Sequence, residues 1–318
     1  MFSRDSSSIH TINSDYPLKF LPKYAYILLN AIQLLLPNLG NREKITKFKP
    51  EVEHLKRLLD NQREPISPSR LLSDTLWSQI DFESLRKVLG QEIRAIEIGC
   101  GTGIYGKELV SNGSVNSYLG VDIKTREEWH DSNDNRVTFV KSSYEDFNRI
   151  VSDENLVITQ SALEHFEFDL KFFRDIDTFA SASRNPVIAI HVFPSTACLL
   201  TNLWHGIRQY GRFAIWRLLR RNSENSFSQI VALGGKYAFL FHLRAITFPQ
   251  IFRKRYYKLA EMEQFKFNLF SALMKDMALE CNRYATFYAM FTIWTTNSDT
   301  RKDFKSTVDQ LLTCSNNS

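Results

Sequence analysis

The chain has 318 residues, of which 43% are hydrophobic and 24% charged, and its formal net charge is +5 at pH 7. This is the composition of a globular protein with a sizeable core, and the sequence contains no internal repeat or low-complexity tract. The four cysteines have neither a CxxC nor another metal-ligand spacing, so we expect reduced thiols of a cytoplasmic protein rather than a disulfide framework.

Residues 1–72 are predicted to form an N-terminal helical extension. Residues 1–20 have no basic-then-apolar pattern, so we expect no secretion signal. The apolar run at 24–36 is too short to span a bilayer. Two interpretations stay open for it: a helix buried against the core, or a helix lying peripherally on the inner membrane face among nearby basic residues. Those basic residues are Lys19, Lys23, Arg42, Lys44 and Lys47.

The stretch at 61–70 contains two prolines among polar residues and predicts a connection. A helix is expected over 73–90, because Ser73 or Asp74 can cap its start, apolar residues recur at helical spacing, and Gly90 can end it.

From residue 92 onward, short apolar runs alternate with helical patterns, which predicts an α/β fold with a mostly parallel sheet covered by helices on both faces. The predicted strands are 94–99, 117–123, 136–141, 155–160 and 185–193. The predicted helices are 103–110, a short one around 144–147, and a long one over 161–182.

The alternation stops after Phe193, and 194–282 is predicted to be an insertion that includes a helix near 261–282. Residues 195–260 carry eleven Lys or Arg and one acid, Glu224, which favours an anionic partner for this segment. Phosphate-bearing small molecules, anionic lipid and nucleic acid all satisfy that charge. A closing strand is expected at 285–296, and 297–318 is expected to be a partly ordered polar tail, with a short helix as an open alternative.

The stretch AIEIGCGTGIYG, residues 95–106, places a glycine-rich turn between a strand and a helix. Such a turn presents backbone N–H groups and a positive helix end, and its glycines permit close approach of a ligand. Gly101, Gly103 and Gly106 satisfy the dinucleotide pattern G-x-G-x-x-G, and Asp122 follows about 20 residues on, as a ribose-binding acid would.

The same glycines fit a second pattern, E-x-G-x-G-x-G, formed by Glu97, Gly99, Gly101 and Gly103. This pattern resembles the first motif of the class I S-adenosylmethionine-dependent methyltransferases, and LVITQSALEHF at 156–166 resembles their fourth. An acid beside the loop suits a cationic ligand better than a diphosphate. The two motifs favour the methyl donor, and Gly106 is then expected to serve helix packing.

The resemblance implies a Rossmann-like sheet of seven mostly parallel strands in a methyltransferase domain over 73–296, with its cofactor half at 92–193. It implies S-adenosyl-L-methionine as cofactor. Ser143 stands where many relatives have an aspartate for the adenine, so the Ser143 hydroxyl, the Tyr144 ring or backbone alone are alternatives for that contact. The residues implied in cofactor binding are Glu97, Gly99, Gly101, Gly103, Asp122, Ser143, Tyr144 and Gln160.

Some relatives hold a divalent metal with an E-x-x-E-H cluster, whose first acid is replaced here by Ser161. The remaining Glu164 and His165 make a poor magnesium site, so no metal is predicted. For a hydroxyl acceptor the site must also take a proton, and we expect His165 or His205 to be that base.

The region around WHGIRQY, 204–210, more loosely resembles bacterial methyltransferases of lipopolysaccharide or capsule biosynthesis. That resemblance implies O-methylation of a sugar hydroxyl on a nucleotide- or lipid-linked glycan or a similar small anionic acceptor. Glu164, Trp204, Arg208, Tyr210 and Arg212 are the candidate acceptor-binding residues.

Three alternative functions remain at the level of sequence. They are methylation of RNA or protein, a non-catalytic cofactor-binding subunit, and an NAD-dependent oxidoreductase. A nucleic-acid partner is disfavoured because no RNA-binding module is recognisable.

Overall fold

A computed structural model describes residues 45–131, 134–201, 209–219, 223–249, 259–279 and 284–313, together with Tyr24, Ala25, Leu28 and Ile32. Most of the helix predicted at 24–36 lies outside the described residues. In the described part of the chain, no helix is both long and apolar enough to cross a membrane.

In the described residues, one sheet of eight strands forms the centre of the fold, in the order β1-β7-β8-β6-β5-β2-β3-β4. The strands are β1 (Ile45–Lys47), β2 (Arg94–Ile98), β3 (Ser117–Asp122), β4 (Val137–Lys141), β5 (Leu156–Gln160), β6 (Val187–Pro194), β7 (Ser226–Leu233) and β8 (Phe287–Trp294). Strand β8 runs antiparallel to both its neighbours, and the other pairs are parallel. The α/β class and the mostly parallel sheet are therefore confirmed.

The sheet has eight strands rather than the seven expected, and two of them lie where no strand was predicted. Strand β1 comes from the predicted helical extension, and β7 comes from the predicted insertion. They pair with each other, with Ile45 opposite Ile230.

Helices cover both faces of this sheet. They are α1 (Val52–Asp60), α2 (Pro68–Gln79), α3 (Phe82–Leu89), α4 (Ile104–Ser111), α5 (Phe147–Ile150), α6 (Asp169–Ala182), α7 (Cys198–Thr201), α8 (Arg212–Leu219), α9 (Lys236–His242), α10 (Leu259–Met277) and α11 (Ser298–Thr313). Alternate strand residues face two separate cores: in β6, Ile188 and Ile190 belong to one, and Val187 and Ala189 to the other.

The helix predicted over 73–90 is two helices, α2 and α3. Helix α2 begins earlier, where the Ser67 hydroxyl accepts a hydrogen bond from the Arg70 N–H and Pro68 occupies the first turn. The break follows Gln79, because the Asp81 carboxylate caps the start of α3. Gly90 ends α3 with a φ of 67°, as predicted.

Two further elements differ from the prediction. The long helix expected from 161 begins at Asp169, and Leu163–His165 forms a separate 3₁₀ turn after β5. The segment predicted as a polar tail forms α11, a 16-residue helix over Ser298–Thr313. Phe304, Val308 and Leu311 recur at helical spacing and are buried in the core, so this helix is part of the folded domain.

Candidate active site

A cavity of about 380 Å³ lies at the carboxyl ends of β2, β3 and β5. Strand order reverses between β2 and β5, the position at which open α/β sheets bind ligands. The cavity is lined by Ile98, Gly99, Gly101, Val121, Asp122, Ile123, Lys124, Arg126, Ser142, Ser143, Tyr144, Glu145, Ser161, Ala162, His165, Phe166 and Glu167. Six of the predicted site residues are thus brought to one place.

The loop between β2 and α4 has three glycines in the left-handed region: Gly99 at φ 78°, Gly101 at φ 54° and Gly103 at φ 70°. A Cβ at Gly99 would overlap Ala162, and one at Gly103 would overlap the Phe139 ring. A Cβ at Gly101 would have no atom within 4 Å. Packing therefore requires glycine at Gly99 and Gly103, whereas the absence of a side chain at Gly101 leaves open space beside the cavity.

Four N–H groups of this loop are used inside the protein. Gly99 and Cys100 donate to the Val121 carbonyl at 2.7 and 3.1 Å, and Gly103 donates to the Cys100 carbonyl at 2.9 Å. The Gly101 N–H donates to Oδ2 of Asp122 at 2.9 Å. A diphosphate would need such groups as donors, and these four are already taken.

Gly106 packs tightly against β3, since a Cβ there would overlap the Tyr118 ring. Its expected role in helix packing is confirmed, and the third glycine of the dinucleotide pattern has a structural reason of its own.

Glu97 lies behind the loop rather than on the cavity wall. Its side chain is 2% exposed and accepts a hydrogen bond from the Tyr118 hydroxyl at 2.5 Å. Burial raises the pKa of Glu97 to about 7, the Tyr118 hydrogen bond opposes that rise, and the charge of Asp122 adds to it. The direct cofactor contact predicted for Glu97 is therefore not provided by the observed position of its carboxyl group.

The adenine candidates lie together at another wall of the cavity. The Tyr144 ring stacks on Phe166 with centroids 4.2 Å apart and planes 9° apart, and its hydroxyl accepts a hydrogen bond from the Phe168 N–H. The Ser143 hydroxyl accepts from the Glu145 N–H at 3.2 Å. A stacked pair of rings and a serine hydroxyl thus line this wall of the cavity.

His165 and Ser161 border the cavity from the segment after β5. Ser161 has a φ of 52°, and among the described residues it is the single non-glycine with a positive φ. A serine in this region carries strain that the surrounding structure must stabilise, a condition concentrated at functional sites. Nothing in the sequence signalled this conformation.

Gln160, predicted to bind cofactor, is buried and points elsewhere. Its Oε1 accepts a hydrogen bond from the indole N–H of Trp77 at 2.7 Å. The bond joins helix α2 to the end of β5, so Gln160 fastens the region 68–79 to the sheet.

Of the predicted acceptor residues that the structure describes, none lines this cavity. Glu164 is buried, burial raises its pKa to about 8, and its Oε2 has no hydrogen-bond partner among the described residues. Tyr210 is buried as well, with its hydroxyl 3.1 Å from both the Leu163 carbonyl and Oδ2 of Asp169. Arg212 begins α8. Trp204, His205 and Arg208 lie outside the described residues.

Sequence reasoning missed the charged residues that follow β3 and β5. Lys124, Arg126 and Glu167 line the cavity, although they carry no motif. Their position in the sequence could have indicated them, because each follows a strand whose carboxyl end lies at this edge of the sheet. In the described part of the chain, no group of three or more His, Cys, Asp or Glu side chains is placed to hold a metal ion.

No family model matches the chain, and no curated protein matches it. Similar solved structures include the plantazolicin methyltransferase BpumL in complex with a triazolic desmethylPZN analog and SAH, at 11% identity, a TM-score of 0.40, and coverage of 76% of this chain and 90% of that one. A putative sarcosine dimethylglycine methyltransferase from Galdieria sulphuraria has 13% identity, a TM-score of 0.42, and coverage of 79% and 93%. The bifunctional kinase-methyltransferase WbdD has 16% identity, a TM-score of 0.32, and coverage of 44% and 35%.

Proposed function

We propose that the chain is an S-adenosylmethionine-dependent methyltransferase. The observation that carries this proposal is the engagement of the loop N–H groups. Gly101 donates to Asp122 instead of to an open anion site, while the space beside its Cα stays free. A glycine loop bordered by the Asp122 carboxylate suits a cationic sulfonium and ammonium, and it suits the diphosphate of a dinucleotide poorly.

The chain's own residues have distinct roles in this proposal. The open face of Gly101 would admit the amino-acid end of the cofactor, and the Asp122 carboxylate, which lines the cavity, would accept hydrogen bonds from its ribose. Tyr144 and Ser143 offer a ring and a hydroxyl to the adenine. When bound, the cofactor supplies an electrophilic methyl group whose departure leaves a neutral thioether, so no residue has to protonate the leaving sulfur.

For a hydroxyl acceptor, His165 would take the proton that the acceptor oxygen loses on methylation. The imidazole borders the cavity in the segment after β5, within the region where acceptor and donor must be aligned. We assign the acceptor to the sugar hydroxyls of nucleotide- or lipid-linked glycans or similar small anionic molecules, on the basic segment at 195–260 and the residues Lys124 and Arg126.

Calorimetry with S-adenosylmethionine, SAH and NADH tests the cofactor. We expect binding of the first two and none of NADH; NADH binding without a response to the others would refute the proposal. Gly101→Asp should abolish binding, because its side chain would fill the open space that the amino-acid end of the cofactor needs. Gly113→Asp is the matched control, since Gly113 has a φ of 77° and equally open surroundings but does not line the cavity.

The acceptor is tested by SAH release in the presence of nucleotide-linked and lipid-linked sugars. The wild-type protein should turn over with a glycan, and His165→Gln should lose turnover while binding S-adenosylmethionine as before. Turnover with RNA or protein alone would overturn the glycan assignment.

A second proposal concerns the N-terminal region, which we infer contacts an anionic membrane surface. Tyr24, Leu28 and Ile32 follow one another at a spacing of four on a helical face and are 57%, 62% and 41% exposed. Exposed apolar side chains flanked by lysines fit an interfacial position.

Sedimentation with phosphatidylglycerol vesicles tests this contact. The wild-type chain should pellet with these vesicles, whereas Leu28→Glu and deletion of residues 1–38 should leave the protein in the supernatant. Phe267→Glu, which changes an exposed apolar residue on α10, should pellet like the wild type. A wild-type chain that stays in the supernatant would exclude the contact.

A further inference from the structure

Trp129 holds the glycine loop and is not among the residues that line the cavity. It ends the 3₁₀ turn Glu127–Trp129 between β3 and β4, and its indole N–H donates to the Gly101 carbonyl at 2.8 Å. The N–H of the same glycine donates to Asp122. Both backbone polar groups of Gly101 are therefore held by side chains, one from the last residue of β3 and one from the turn that follows β3.

The indole itself is fixed by its neighbours. It stacks on the Phe139 ring with centroids 5.0 Å apart and planes 8° apart. Phe139 in turn fills the space beneath Gly103, where a Cβ would overlap it. The Lys107 ammonium donates to the Glu128 carbonyl, which joins the turn to helix α4. The turn and the glycine loop consequently form one packed unit.

We propose that Trp129 is a positioning residue that keeps the loop in its ligand-binding conformation; this inference rests on the proposed function. Gly101 has no side chain to restrict its backbone, and its φ of 54° is one of several conformations open to glycine. Without the indole hydrogen bond, the peptide after Gly101 can rotate. Binding must then order the loop, and that conformational entropy is subtracted from the affinity.

Trp129→Phe tests the role, because it removes the N–H donor and keeps an aromatic ring on Phe139. Loss of the net free energy of one such hydrogen bond should raise the calorimetric Kd for S-adenosylmethionine and for SAH about three- to tenfold. Trp294→Phe is the matched control: Trp294 is also buried and its indole donates to Asp177 at 2.7 Å, but it does not line the cavity. Its Kd should equal that of the wild type.

An unchanged Kd in Trp129→Phe would overturn the inference, and so would an equal rise in both variants, which would report general destabilisation. A wild-type protein that binds neither S-adenosylmethionine nor SAH would refute the proposed function and this inference with it. If Trp129→Phe does not fold, hydrogen exchange of the wild-type indole protons replaces it. SAH should slow exchange at Trp129 and leave Trp294 unchanged; equal exchange at Trp129 with and without SAH would overturn the assignment.

Discussion

Glu97 is expected to make the stability of the unliganded protein depend on pH. Its ordinary pKa is 4.5 and burial raises the pKa to about 7 in the folded state. For a group whose pKa rises on folding, the stabilising contribution is present in full below the unfolded pKa and is lost as the pH rises through the folded one. A rise of this size means that ionised Glu97 disfavours the folded state by about 3 kcal/mol above neutral pH.

Glu97→Gln isolates this effect, because the amide oxygen can still accept the Tyr118 hydroxyl while the side chain never ionises. We expect the difference in unfolding free energy between variant and wild type to shift in favour of the variant by about 2 kcal/mol between about pH 5.5 and about pH 8.5. Urea unfolding of both proteins without cofactor, at several pH values, measures that shift. Glu164 titrates in both proteins, and its contribution cancels from the difference.

Glu108→Gln is the control, since Glu108 is an exposed glutamate on α4. Its stability difference from the wild type should stay constant across the same range. A constant difference for Glu97→Gln as well would refute the argument, because it would mean that Glu97 ionises in the folded protein as readily as in water.

Three further substitutions test the packing described above. Gly106→Ala should destabilise the fold by about 1–3 kcal/mol in urea unfolding, since the added methyl group overlaps the Tyr118 ring, and an unchanged midpoint would contradict that contact. Ser161→Gly should raise stability by about 1 kcal/mol by relieving the positive φ; a loss of stability would show that the serine is not strained. Phe304→Ala should lower the unfolding free energy by about 3–5 kcal/mol, because the ring is buried against Phe227, whereas an effect below about 0.5 kcal/mol would mean that α11 is not part of the core.

The cofactor half of the sheet could be predicted because its signals are local. In 94–103 an apolar strand, an acid and spaced glycines follow one another within ten residues, and the structure keeps that order as strand, loop and helix start. The turn at Leu163–His165 could not be predicted in the same way. Apolar spacing favoured a continuous helix, but the left-handed backbone of Ser161 and the packing at the end of β5 interrupt it.

Strand β7 was missed because its polar residues are satisfied by distant partners. The Ser228 hydroxyl is 2.9 Å from that of Thr292, and the Gln229 amide donates to Asp309 in α11 at 2.8 Å. In the sequence, such polar residues indicate a solvent-exposed position on an insertion. Their burial depends on β8 and α11, which follow more than fifty residues later.

The hydrogen-bond partners of Glu97 and Gln160 could not be predicted from the sequence either. Tyr118 and Trp77 lie on other elements, so each side chain looked free to meet a ligand. The motifs indicate the position of the loop and the edge of the sheet, but hydrogen bonds between side chains far apart in the sequence leave no local pattern.

The position of β8 has a consequence for how the chain is made. Strand β8 lies between β6 and β7, and β7 is the partner of β1. During synthesis, β1 emerges first but cannot join the sheet until Phe287–Trp294 has left the ribosome and paired. We therefore expect β1 to stay outside the sheet through most of translation. A chain stopped before β8 would leave β1 and β7 detached from the sheet and available for chaperone binding.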